Sequence, residues 1–130
     1  MPIGNPTNIN TKLLFESVLI QHIAKHEDFN NNYDLLAEFL SKESGKIIDG
    51  RKITFMSRGE AYAKKWLIIC LLKSALEYAW LPSTVDDWTH VIWTLTGKKQ
   101  SIYGGDNTDV YRQLEDLSGK PEIIFEQKYQ

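Results

Sequence analysis

The sequence predicts a mainly α-helical protein of about five helices packed around one central apolar helix, residues 58–80, with a small β-hairpin near residues 46–55. Two observations indicate this fold class. Apolar residues recur at three- and four-residue spacing in five separate stretches, which is the period of an amphipathic helix. Asparagine, glycine or proline stands between these stretches, where helices begin and end. With 42% apolar residues among 130, the chain can bury a core as a single globular domain, residues 1–130, without disulfides or a metal.

The N-terminal third predicts an irregular arm followed by two helices. Residues 1–10 contain two prolines, three asparagines and one glycine, a composition typical of irregular structure. A first helix is predicted over about 11–27 and a second over about 33–44. Asn32 can cap the start of the second helix, and Gly45 is well suited to follow its end.

An Asp-Gly pair marks the predicted hairpin. Asp49 and Gly50 lie between two short runs of β-prone residues within 46–55. Because glycine tolerates the positive φ of a type I′ turn, this pair is a good signal for a two-residue hairpin loop.

The central helix is predicted from its almost continuous apolar surface. Its middle, residues 66–72, has nearly no polar face, and a helix that is apolar on all sides must be buried on most of them. Ser57 and Glu60 fit a capping box at its start, and Pro82 ends it. Cys70, the one cysteine, lies in this apolar run, which indicates a buried and inert thiol.

Two further helices are predicted in the C-terminal part, over about 85–96 and 108–118, each followed directly by a glycine. Asp106 or Asn107 can cap the second of them. The segment 122–129 is either a short strand or an ordered tail.

Two tryptophans of the predicted helix at 85–96 are five residues apart in sequence and project roughly 140° from each other around the helix axis. Both cannot occupy the centre of one narrow apolar stripe, so one of them suits the edge or the surface, where it could anchor a partner.

Charge is spread unevenly along the chain. The net charge is −3 over residues 1–45, +4 over 46–82 and −3 over 83–130. Nucleic-acid-binding proteins usually have a stronger basic excess, whereas an acidic end suits a basic partner. The start of the chain lacks the features of a signal peptide, and no segment approaches the roughly 18 to 20 apolar residues of a membrane span. We therefore expect a cytoplasmic protein that does not contact a membrane.

No catalytic or cofactor motif is present, and we predict neither a cofactor nor a catalytic residue. His22 and His26 stand four residues apart, a spacing that can hold a metal, but the sequence marks no third ligand and no metal is predicted. One alternative is an enzyme whose dispersed site combines these histidines or His90 with a carboxylate. The other is a small helical nucleic-acid-binding or phage accessory protein, whose basic residues would have to share one face. Those residues are Arg51, Lys52, Arg58, Lys64 and Lys65.

The leading prediction is a protein-binding inhibitor. In size, acidity and lack of a chemical motif, the chain resembles the small cytoplasmic immunity proteins that bacteria pair with secreted toxins, including those of contact-dependent growth inhibition. The resemblance implies a stoichiometric complex that neutralises a basic cognate toxin, often a nuclease. The residues predicted to bind the partner are Asp86, Asp87, Trp88, Tyr103, Asp106, Asp109, Glu115 and Asp116.

Overall fold

The computed structural model describes residues 14–100, 102–103 and 107–119, and within these ranges the chain forms six helices and no strand. The prediction of a mainly helical protein is confirmed. The predicted arm at 1–10 and the segment at 122–129 lie outside the described residues. None of the described helices is long and apolar enough to cross a membrane. The helices are α1 (Phe15–Ala24), α2 (Tyr33–Ser44), α3 (Gly50–Ser57), α4 (Lys65–Glu77), α5 (Val85–Thr96) and α6 (Thr108–Ser118).

The chain divides into two compact units, residues 1–71 and 72–130, and the boundary falls within α4. In the first unit, α3 packs against both α1 and α2. All three helices contribute apolar side chains that are wholly removed from water, which is the main source of stability in a domain of this size. These are Leu19, Ile20, Ile23, Leu36, Leu40, Ile53 and Met56. That the whole chain is a single domain stays a prediction.

The structure has a helix, α3, where a hairpin was predicted, so the hairpin prediction is wrong. Asp49 is the N-cap of α3, and its carboxylate accepts a hydrogen bond from the Arg51 N–H at 3.1 Å. Gly50 is the first residue of the helix and is not among the glycines with positive φ. A Cβ on Gly50 would lie 3.0 Å from the Cα of Asp34 in α2, so glycine is required by the close approach of the two helices.

α4 is shorter at both ends than the predicted helix at 58–80. Ser57 is the last residue of α3, so it does not form the predicted capping box with Glu60 at the start of α4. At the other end, Ala79 adopts a left-handed φ of 68°, which ends the helix before the predicted stop at Pro82.

Burial follows one side of α4. Leu71, Leu72 and Leu76 have no exposed surface, whereas Lys73 is exposed. Cys70 is half-buried, and therefore less enclosed than its apolar neighbours in sequence indicated. That the other helices surround α4 stays a prediction.

The second unit contains α5 and α6, which pack against each other and match their predicted bounds. α5 begins at a capping box, in which the Thr84 hydroxyl accepts a hydrogen bond from the Asp87 N–H at 3.0 Å and the Asp87 carboxylate accepts one from the Thr84 N–H at 3.3 Å. The rings of Trp88 and Tyr111 meet edge to face, with their centroids 5.7 Å apart. This aromatic contact joins the two helices.

Candidate functional site

One side of α5 is the strongest candidate for a binding surface. Asp86, His90 and Trp93 stand at helical spacing on this side and are all exposed, and we call these three residues the α5 outer face. Trp93 keeps 40% of its surface exposed. Tryptophan is the largest apolar side chain and is enriched among residues that dominate protein–protein binding, so its exposure on the same helix side as an acid indicates a place where a partner can dock.

Trp88 lies on the opposite side of α5 and is only 1% exposed, together with the buried Val91 and Ile92. The expectation that one of the two tryptophans reaches the surface is confirmed, but that residue is Trp93. The ring of Trp88 is therefore not exposed on the surface, and its part in binding a partner stays a prediction. The signal was present in the sequence, because the neighbours of Trp93 one and two turns earlier are polar, whereas those of Trp88 one turn later are aliphatic.

The two acids at the start of α5 have different roles. Asp87 is half-buried, and its Oδ2 accepts hydrogen bonds from the Ser83 N–H at 3.0 Å and from the Thr84 N–H. Its carboxylate is therefore occupied in starting the helix. Asp86 is exposed on the α5 outer face. Of this pair, we retain Asp86 as a candidate contact.

α6 carries a second exposed acidic side. Asp109, Arg112 and Asp116 lie along it at helical spacing. Arg112 Nη1 is 3.4 Å from Asp109 Oδ1, with 66% and 82% of the two side chains exposed. Such an exposed pair is worth about 0–1 kcal/mol, so a partner can displace it at little cost. Glu115, also in the predicted set, is only half exposed.

The loop before α6 holds Tyr103, which is 73% exposed. Asn107 is buried, and its amide donates a hydrogen bond to the Ile102 carbonyl while its oxygen accepts one from Gln100 at 3.1 Å. Asn107 lies at the N-cap position of α6, but its side chain makes no capping hydrogen bond. Its side chain holds this loop instead. Tyr103 directly follows the anchored residue. Asp106 lies outside the described residues.

The histidines do not form a metal site in the part of the chain that the structure describes, where no three His, Cys, Asp or Glu side chains come together. His26 follows the end of α1, and its Nδ1 accepts a hydrogen bond from the Asp28 N–H at 3.1 Å. The same nitrogen is 3.6 Å from the Asp28 carboxylate, with 40% and 57% of the side chains exposed. General acid–base catalysis is most effective where water is excluded, so this solvated pair gives no support to the enzyme alternative.

No protein-family model, curated protein or solved structure matches this chain significantly.

Proposed function

We propose that the protein works by binding another protein through its second unit, with the α5 outer face as the centre of the contact. The observation that carries this proposal is the exposed ring of Trp93 on the same helix side as Asp86. A buried aromatic anchor supplies most of the binding energy in a typical interface, while charges around it steer the partner and fix its register.

The chemistry of the partner follows from the charges of this unit. Asp86 on α5 and Asp116 on α6 are exposed acids, and residues 83–130 carry a net charge of −3. A basic partner is attracted to such a surface from a distance, which raises the association rate at low salt. Trp93 and Tyr103 then supply the apolar contact that slows dissociation.

We propose further that binding neutralises the partner, as in the toxin-immunity proteins that the sequence resembles. A nuclease must hold an anionic substrate and therefore has a basic cleft. An acidic surface with an aromatic anchor is complementary to such a cleft and would occlude it in a stoichiometric complex. This accounts for a small chain without a catalytic motif.

The test is co-expression with the C-terminal domain of a secreted protein encoded directly upstream of this chain. The expected result is restored growth and a 1:1 complex by size-exclusion chromatography with light scattering. Trp93→Ala should weaken the complex about 30-fold or more, because truncation of a central tryptophan typically costs at least about 2 kcal/mol.

The control is Glu77→Lys, which reverses an exposed acid on α4. It should leave growth and complex formation unchanged, whereas Asp86→Lys should impair both. If Trp93→Ala and Asp86→Lys protect as well as the unaltered chain, the α5 outer face is not the contact.

A further inference from the structure

α3 has an exposed basic side, which could not be identified while the segment was predicted to be a hairpin. Arg51, Lys52 and Phe55 are exposed on the helix, and Arg58 is exposed at its C-cap. The spacing of 51, 55 and 58 is that of residues on one side of a helix, and Lys52 is three residues before Phe55. We call these four residues the α3 basic face.

The packing of α3 fixes this face outward. On the opposite side of the helix, Ile53 and Met56 have no exposed surface. Gln21 of α1 donates a hydrogen bond from Nε2 to the Ser57 carbonyl at 2.7 Å, and the Ser17 hydroxyl donates to the Met56 carbonyl. The C-terminal end of α3 is thus held by α1, and the basic residues cannot turn inward without breaking these contacts.

The segment that carries α3 is mainly basic, although the exposed Asp34 of α2 also lies against Gly50 at the start of the helix. Residues 46–71 contain six basic and two acidic side chains. One of the acids, Asp49, caps the start of α3, and the other, Glu60, lies 4.0 Å from Arg58. Since 57% of the Arg58 side chain and 53% of that of Glu60 are exposed, this ion pair is weak and a phosphate can replace it.

Phe55 indicates which kind of anion the α3 basic face suits. It is 40% exposed, and the Arg58 guanidinium lies 5.7 Å from the centroid of its ring. A flat apolar ring among cations offers stacking for a base and charge for the adjoining phosphates. The bases of a duplex are already stacked on each other, so only a single strand can use the ring.

We propose that the α3 basic face binds single-stranded nucleic acid. Arg51, Lys52 and Arg58 contact phosphates, and Phe55 stacks on a base. The helix has eight residues and is therefore about 12 Å long, which limits the contact to a few nucleotides. The proposed site lies in the first unit and does not depend on protein binding by the second.

The experiment measures binding of the full chain to a fluorescently labelled oligothymidine by anisotropy over a series of salt concentrations. Three phosphate contacts predict a slope of log K against log salt of about −2, from roughly 0.7 per contact on a single strand. The double variant Arg51→Gln/Lys52→Gln should flatten the slope by about 1.4. Phe55→Ala should weaken binding about tenfold without changing the slope.

The matched control is Lys25→Gln/Lys42→Gln, which removes two exposed cations elsewhere in the first unit and should leave affinity nearly unchanged. Circular dichroism and thermal unfolding establish that each variant is folded. The proposal is overturned if the control pair weakens binding as much as the α3 pair, or if Phe55→Ala has no effect. Equally tight binding to polyglutamate or to a duplex of the same length would also overturn it, because the face would then recognise charge alone.

Discussion

Single residues show how one short motif can serve two different structures. Asp49-Gly50 has the composition of a type I′ turn, yet Asp49 caps α3 and Gly50 is the first residue of the helix. Both uses draw on the same chemistry, because a short carboxylate bonds nearby N–H groups and glycine has no Cβ. In the folded chain, Asp34 of α2, which is distant in sequence, lies against Gly50. No local pattern could have revealed that contact.

Gly50→Ala tests this explanation. Alanine normally favours a helix over glycine by about 1 kcal/mol, but here its Cβ would press on the Asp34 backbone. We expect the free energy of unfolding to fall by about 1–3 kcal/mol in urea denaturation, the usual cost of overpacking. Arg51→Ala, at the next and exposed position, should change stability by less than about 0.5 kcal/mol. A Gly50→Ala variant that is as stable as the unaltered chain would show that the two helices do not approach so closely.

Among the helices, the sequence correctly predicted the bounds of those that begin and end at their own capping residues. Asn32 caps α2 by accepting the Leu35 N–H, and left-handed glycines follow α2, α5 and α6. The predicted bounds of these three helices are therefore correct. The segment between α3 and α4, where the predicted bounds are wrong, is held in part by residues distant in sequence. Glu16 in α1, for example, accepts a hydrogen bond from the Ala63 N–H at 2.9 Å in the segment between α3 and α4.

The attachment of α1 to α3 can be measured with two buried serines. The Ser17 hydroxyl donates to the Met56 carbonyl, whereas no described group bonds the Ser74 hydroxyl in α4. Ser17→Ala should lower the free energy of unfolding by about 1 kcal/mol, the net value of one hydrogen bond. Ser74→Ala removes a buried hydroxyl without breaking a bond and should be neutral or stabilising. Thermal unfolding of both variants gives the comparison, and equal losses would mean that the Ser17 bond does not hold α3.

The residues of the candidate surfaces could be predicted from the sequence only in part. Asp86, Asp109 and Asp116 are exposed as an acidic helix surface requires, since charged residues away from the apolar stripe face water. Trp93 and Phe55 were missed. Trp93 could have been identified from its polar helical neighbours, whereas Phe55 could not be placed while its segment was assigned to a hairpin.

On the scale of the whole molecule, the chain bears two surfaces of opposite charge in two different units. The basic residues of 46–71 include the α3 basic face, and the acidic residues of 83–130 include Asp86 of the α5 outer face. Each surface has an exposed aromatic ring, Phe55 in the first and Trp93 in the second. Charge and apolar contact therefore occur together in both, which is the combination expected of surfaces that bind rather than surfaces that are merely solvated.

Surface plasmon resonance with the co-expressed partner measures whether the α5 outer face binds a basic protein. Asp86→Lys should lower the association rate constant several-fold at low salt and much less at high salt, because steering by charge is screened. Trp93→Ala should act mainly by raising the dissociation rate constant, because it removes an apolar anchor. If the association and dissociation rate constants stay the same in both variants at every salt concentration, the α5 outer face does not bind the partner.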